Sequence, residues 1–261
     1  MAFDLTRLDH LSQDDLWDEA AAASYDTPGE GMFSDAVLGP TVDRLAELAA
    51  GGAALELAIG TGRVAIPLAE RGVPVSGIEL SAAMIERLRA KVGNDIPVLH
   101  GDMATARVEG EFSLVYLVFN TIANLLTQEA QVQCFRNAAA HLRPGGCFVI
   151  ELWVPDLRAL SPAAPVQVFT AEDGYLGLDV IDTATQRVVS HHVVFDERLA
   201  SGGGDRRAAR IGRTPHRYIW PSELDLMAQL AGLRLESRYA DWSGEPFTAT
   251  SPSHVSVYRL S

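Results

Sequence analysis

Residues 55–80 run Leu-Glu-Leu-Ala-Ile-Gly-Thr-Gly-Arg-Val-Ala-Ile-Pro-Leu-Ala-Glu-Arg-Gly-Val-Pro-Val-Ser-Gly-Ile-Glu-Leu. An apolar run, a glycine turn, a helical segment and a second apolar run closing on an acid leave few folds open. Strand, helix, strand in that order predicts parallel pairing. Gly60, Gly62 and Ala65 fit the spacing G-x-G-x-x-G/A, and Glu79 stands where an acid reaches a ribose. Glu56 lies four residues before the first glycine, where a pyrophosphate would be repelled.

The alternation continues beyond this stretch. Periodicity predicts helices over 12–24 and 35–50, the second stopped by Gly51-Gly52. Strands are expected near 53–59, 74–79, 96–99, 112–119 and 146–152, with helices over 62–71, 81–92 and 128–142. Val132, Phe135, Ala139 and Leu142 mark the apolar stripe of the last helix, and Arg143-Pro144-Gly145-Gly146 punctuate its end. After Leu152 the pattern shortens to alternating segments near 166–170, 175–182, 187–195 and 210–219, which predicts an antiparallel insertion. A helix over 222–231 and strands over 233–239 and 253–260 complete the chain.

Composition narrows the partners. A formal net charge of −13 argues against nucleic acid, whose binding draws on Lys and Arg. No apolar run approaches the roughly 18 residues of a membrane span, and the N-terminus lacks a signal peptide's pattern. A cytoplasmic protein is expected. Cys134 and Cys147 lack ligand spacing and read as core residues, so neither a disulfide framework nor a metal is expected. Lys91 is the only lysine, against twenty arginines.

A helix N-terminus favours an anion, and Glu56 beside it favours a cation. A methionine zwitterion on a sulfonium satisfies both, with its carboxylate at the helix start and Arg63 and its ammonium at Glu56. The sequence here resembles the class I, Rossmann-like S-adenosylmethionine-dependent methyltransferases of small molecules, over roughly 20–155 and 220–261. Glu56-Leu57-Ala58-Ile59-Gly60-Thr61-Gly62 resembles that family's first motif, with Ala58 where glycine is commonest. Gly77-Ile78-Glu79-Leu80-Ser81 resembles the second, Gly101-Asp102-Met103 the adenine clamp, and Phe119-Asn120-Thr121 the end of the fourth strand. Leu142-Arg143-Pro144-Gly145-Gly146 resembles the family's lead into the fifth.

The resemblance implies a seven-stranded, mostly parallel sheet of order 3-2-1-4-5-7-6 flanked by helices, with strand 7 antiparallel. Residues 1–165 and 221–261 would form the core with an N-terminal helical cap (1–50), and 166–220 a substrate lid. It assigns the cofactor S-adenosyl-L-methionine, with S-adenosyl-L-homocysteine as product, to Tyr25, Glu56, Ala58, Gly60, Thr61, Gly62, Arg63, Glu79, Leu80, Met84, Asp102, Met103, Phe119 and Asn120. His192 or Tyr25 would serve as base where the acceptor needs one. Of His191 and His192, on opposite strand faces, His192 is preferred. Trp153, with Glu151 beside it, and Arg217 and Tyr218 are expected substrate contacts. Arg198, Arg206, Arg207, Arg210, Arg213 and Arg217 form a basic cluster that reads as a solvated loop or as recruitment of an anionic substrate. The expected partner is a small molecule of secondary metabolism, methylated on N or O by in-line displacement, with no nucleic acid or membrane involved and homodimerisation left open. A nicotinamide oxidoreductase and a non-catalytic S-adenosylmethionine-binding module are the rival readings.

Overall fold

A computed structural model describes residues 16–156, 165–196 and 208–260. The described chain falls into two compact units, one of 123–126, 155–156, 165–196 and 208–219, the other of 16–122, 127–154 and 220–260. Residues 12–15 of the first expected helix, Ser201-Gly202-Gly203-Gly204, and Arg198, Arg206 and Arg207 lie outside the described residues.

The larger unit begins with α1 (Glu19–Tyr25), a 3-10 turn at Gly31–Phe33 and α2 (Asp35–Ala49). The single helix expected over 12–24 starts afresh at Asp18, which is extended and accepts the Ala21 N–H at 2.9 Å. β1 (Ala54–Leu57), α3 (Ala65–Glu70), β2 (Val75–Glu79), α4 (Ala82–Val92) and β3 (Val98–His100) follow. Then come β4 (Phe112–Leu117), α5 (Gln128–His141) and β5 (Leu142–Trp153). α3 is shorter than the expected 62–71. Pro67, which has no N–H to give, falls in its first turn, where that loss costs least. β5 begins four residues earlier than expected, at Leu142, and its register against β4 shifts between Phe112 and Leu114.

β6 (Val166–Glu172), β7 (Tyr175–Asp182), β8 (Arg187–Asp196) and β9 (Ala208–Arg217) pair in sequence order as a four-stranded antiparallel sheet. α6 (Pro221–Leu230), β10 (Leu233–Tyr239) and β11 (Ser253–Leu260) return to the larger unit. Its sheet has the order β10-β11-β5-β4-β1-β2-β3. Without the insertion's four strands in the count, this is the order the family resemblance implies. β11 runs antiparallel to both β5 and β10, while the remaining pairs are parallel.

β1 and β4 are buried along their whole length, as strands covered on both faces must be. The one charged side chain in β1 is Glu56, at 4 % exposure. On α5 the buried face is Gln131, Cys134, Phe135, Asn137, Ala138 and His141, which corrects the stripe expected from its apolar residues. Val132 and Ala139 are only half-buried. Side-chain amides and an imidazole occupy that face because they serve the loops that α5 covers.

Candidate functional site

Glu56, Glu79 and Asp102 stand at or just beyond the carboxyl ends of β1, β2 and β3, the end of an open parallel sheet where ligands bind. The chain leaves β1 through Ala58 and Gly60, both left-handed at φ +56° and +58°. A Cβ on Gly60 would meet no atom within 4 Å, so space lies open over the turn. A Cβ on Gly62 would come within 2.3 Å of Leu88, so this glycine is required for packing.

Glu79 is 7 % exposed, and its carboxylate accepts the N–H groups of Gly60 and Ser81, each at 2.8 Å. Burial pushes its pKa up while these bonds pull it down. One N–H per oxygen leaves acceptor capacity for a vicinal diol. Asp102 accepts the Ala104 N–H at 2.7 Å through Oδ1, fixing the turn after β3. Met84 and Met103 are buried at 3 % and 8 %, and Leu80 gives its carbonyl to His100 Nε2 at 2.7 Å.

Glu56 has a different character. Tyr116 O–H donates to its Oε2 at 2.9 Å, and burial pushes its pKa up to about 8, against the opposing effects of Tyr116, Arg63 and the Ala65 N–H. At neutral pH the ligand-free carboxyl is therefore mostly protonated, whereas the sequence suggested a standing anion. The expected anion site at the start of α3 also changes, because the Ala65 N–H there already faces Glu56. An arriving cation restores the charge.

Arg63 is the nearby counter-group. Its guanidinium donates to Met32 O at 3.1 Å and lies 5.1 Å from the Phe119 ring centroid and 6.0 Å from that of Phe33. Tyr25 meets Trp17 and Phe33 edge-on, and burial raises its pKa, so its hydroxyl stays protonated at pH 7 and offers a donor. Phe119 and Asn120 are both left-handed, at φ +55° and +64°, an uncommon backbone for non-glycine residues. Glu151 accepts the Phe119 N–H at 2.8 Å, and Asn120 Oδ1 accepts the Trp153 N–H at 2.7 Å. Glu151 thus braces the β4 turn, and Trp153 is tied to it through its backbone.

Contributors beyond the residues assigned to the cofactor complete the site. Asp26 accepts the Thr61 hydroxyl at 2.6 Å and pairs with Lys91 at 2.6 Å, and Lys91 also donates to Thr61 O at 2.8 Å. The single lysine therefore ties the glycine turn to the N-terminal segment. Ser81 Oγ donates to Trp17 O at 2.6 Å as a second tie. Asp26 belongs to the Tyr25-Asp26 pair that the family resemblance includes, whereas nothing in the sequence pointed to Tyr116 or Lys91.

The other nominated residues belong to the antiparallel unit. His192 Nδ1 lies 2.6 Å from the Tyr175 hydroxyl, its ring stacks on Tyr175, and Phe169 meets it edge-on. Burial lowers its pKa, opposed by Asp179. His191 Nδ1 lies 3.1 Å from Val189 O. Arg217, 6 % exposed, donates to Gln186 Oε1 at 3.1 Å, and Tyr218, 1 % exposed, is bonded to Gln186 through its backbone.

The family model described as "Methyltransferase domain" matches residues 54–146. The structure of the CcbJ methyltransferase from Streptomyces caelestis superposes with a TM-score of 0.74 at 38 % identity, covering 85 % of this chain and 88 % of that one. The cypemycin N-terminal methyltransferase of Streptomyces sp is 26 % identical over 253 residues, 92 % of this chain and 96 % of its own. The dTDP-3-amino-3,4,6-trideoxy-alpha-D-glucopyranose N,N-dimethyltransferase of Streptomyces venezuelae is 31 % identical over 142 residues, 53 % of this chain and 54 % of its own.

Proposed function

The chain belongs to the class I S-adenosylmethionine-dependent methyltransferases, and from that premise we propose that it methylates the nitrogen of a small-molecule amine of secondary metabolism. The observation that carries this is the row of acids ending β1, β2 and β3, of which Glu56 is buried with a raised pKa of about 8 and would be drawn into its charged form by an ammonium. A pyridine dinucleotide offers Glu56 a diphosphate in place of an ammonium, which disfavours the oxidoreductase reading. The amino-sugar relative is named an N,N-dimethyltransferase and the cypemycin relative an N-terminal methyltransferase, which supports a nitrogen acceptor.

The residues fit the cofactor by the chemistry of their donors and acceptors. Glu79 would hold the ribose hydroxyls, Asp102 would take the exocyclic amine of adenine, and the Met103 N–H would meet the ring. Glu56 ionises against the methionyl ammonium, and Arg63 and the Tyr25 hydroxyl lie within electrostatic reach of that end. Ala58, Gly60, Thr61 and Gly62 shape the turn beneath, Leu80, Met84 and Met103 the nucleoside's apolar contacts, and Phe119-Asn120 the wall beside the reacting methyl. When bound, S-adenosylmethionine supplies an electrophilic methyl that the acceptor's lone pair takes in line with the departing sulfur. The chain's own contribution is chiefly positioning, which can account for most of such a rate.

A neutral amine needs no base and no metal. A hydroxyl acceptor would need a base, and Tyr25, kept protonated by its surroundings, is poorly suited. His192, neutral at pH 7 with a lowered pKa, is the better assignment for that role. Trp153, Arg217 and Tyr218 stand as proposed acceptor contacts. We place the activity in the cytoplasm, in keeping with two buried free thiols, Cys134 and Cys147.

Calorimetry with S-adenosylhomocysteine and with NADH, followed by transfer of labelled methyl to amino sugars and to peptide N-termini, tests the reading. Saturation by NADH without heat from S-adenosylhomocysteine would overturn it. Transfer only to hydroxyl acceptors would move the acceptor atom to oxygen.

A further inference from the structure

We propose that Asn137 and His141, one turn apart on α5, are positioning residues for the nucleobase, holding the backbone of the 101–108 loop that presents Asp102 and Met103. The proposal rests on the placement of adenine at those two residues.

Asn137 is fully buried and gives its side-chain amide to two carbonyls of the loop, Met103 O at 2.8 Å and Ala106 O at 3.0 Å. In that orientation its Oδ1 is buried with no hydrogen-bond partner. Turning the amide over would aim an oxygen at two carbonyl oxygens, so the loop dictates the orientation at the expense of the unmet acceptor. Met103 is the residue whose own N–H should face the base, and Asn137 fixes the carbonyl of that residue.

His141, 2 % exposed, accepts the Val108 N–H on Nε2 at 3.0 Å, and its Nδ1 lies 2.8 Å from Asn137 O. A backbone N–H only donates and a carbonyl only accepts. Nε2 is therefore bare, Nδ1 carries the proton, and the ring is neutral. A proton on Nε2 would face the Val108 N–H and break that anchor. The charged group facing the ring is Arg107, whose NH1 lies 3.5 Å from the same Asn137 carbonyl; Phe112 of β4 meets it at 6.2 Å between centroids. Burial and Arg107 both oppose the imidazolium. Asn137 thus anchors the middle of the loop and His141 its far end, both from one rigid helix. Acid releases the second anchor.

If protonation of His141 weakens nucleoside binding, bound nucleoside must depress the His141 pKa by the same factor. The probe is 5′-deoxy-5′-methylthioadenosine, which has no amino-acid end and so does not involve Glu56. NMR titration of the full chain should show the His141 pKa falling when the probe saturates. The wild-type dissociation constant should rise as pH falls through the His141 pKa that this titration reads. His141→Gln keeps an acceptor that does not titrate and should give a flatter profile, while Glu79 titrates in both proteins and cancels. Asn137→Leu should weaken the probe about tenfold at about pH 7.5, the effect of losing buried hydrogen bonds to the loop. A His141 pKa indifferent to the probe, or superimposable profiles for wild type and His141→Gln, would overturn the proposal. The titration needs no variant, so a misfolded variant does not shelter it. Failure of wild type to bind the probe at all would overturn the adenine placement, and this inference with it.

Discussion

The parallel and antiparallel sheets differ in how far backbone donors hold their polar groups. At the ends of β1–β3 each acid is gripped by its surroundings: Glu79 by two backbone N–H groups, Asp102 by one, and Glu56 by a buried tyrosine. In the antiparallel sheet the pairs are side chain to side chain across neighbouring strands, Tyr175 with His192 and Asp179 with Ser190. Apolar side chains there remain open to solvent, among them Val168 at 56 % and Ile211 at 50 %. Backbone donors do not change when side chains do, so the hold on Glu79 and Asp102 suits a constant ligand. Cross-strand side-chain pairs can be exchanged without redirecting the chain, which suits a partner that differs among relatives.

The strongest test of this contrast is Glu56→Gln. Its loss leaves a buried ammonium without a counter-ion, so S-adenosylhomocysteine affinity should fall by about 3–5 kcal/mol in calorimetry. The ligand-free variant should nevertheless be the more stable protein near pH 7. The wild-type carboxyl keeps its proton to about pH 8 in the fold but releases it near pH 4.5 when unfolded. Wild-type stability is therefore present in full below pH 4.5 and is lost as pH rises towards 8, whereas glutamine never pays this penalty. Thermal unfolding across that range reads the difference, and parallel curves for the two proteins would refute the buried, protonated state.

Next in size, Glu79→Ala and Asp102→Ala should each weaken S-adenosylhomocysteine by about 1–3 kcal/mol, as charge-assisted hydrogen bonds do. Parent-like binding by both folded variants would erase the difference between the two sheets. Smallest of all, Tyr175→Phe removes one partly exposed bond and should cost about 1 kcal/mol of stability or less. It should also leave cofactor affinity unchanged. A large loss of cofactor binding in this variant would break the comparison from the other side.

Much of the larger unit was legible because its signals are local. The glycine spacing, the acids closing two strands and the Pro-Gly punctuation each act within a few residues, and the strand order followed from the family that these motifs resemble. Element ends were legible where a cap or a breaker sat at the boundary and shifted where tertiary pairing intervened, as at Leu142. The stripe on α5 was misread for a related reason. Apolar spacing cannot announce that Asn137 and His141 are buried to hold a loop some thirty residues earlier in the chain.

The alternation of strand and helix, the turn after β1 and the acids that close β1 and β2 were properties of the sequence, since each depends on neighbours in the chain, while the order of strands came with the family those motifs resemble. The charge on Glu56, the tie from Asp26 through Lys91 to Thr61, and the tautomer of His141 were decided only by the folded chain. Each depends on exclusion of water and on partners dozens of residues away, and neither exists until the tertiary structure does.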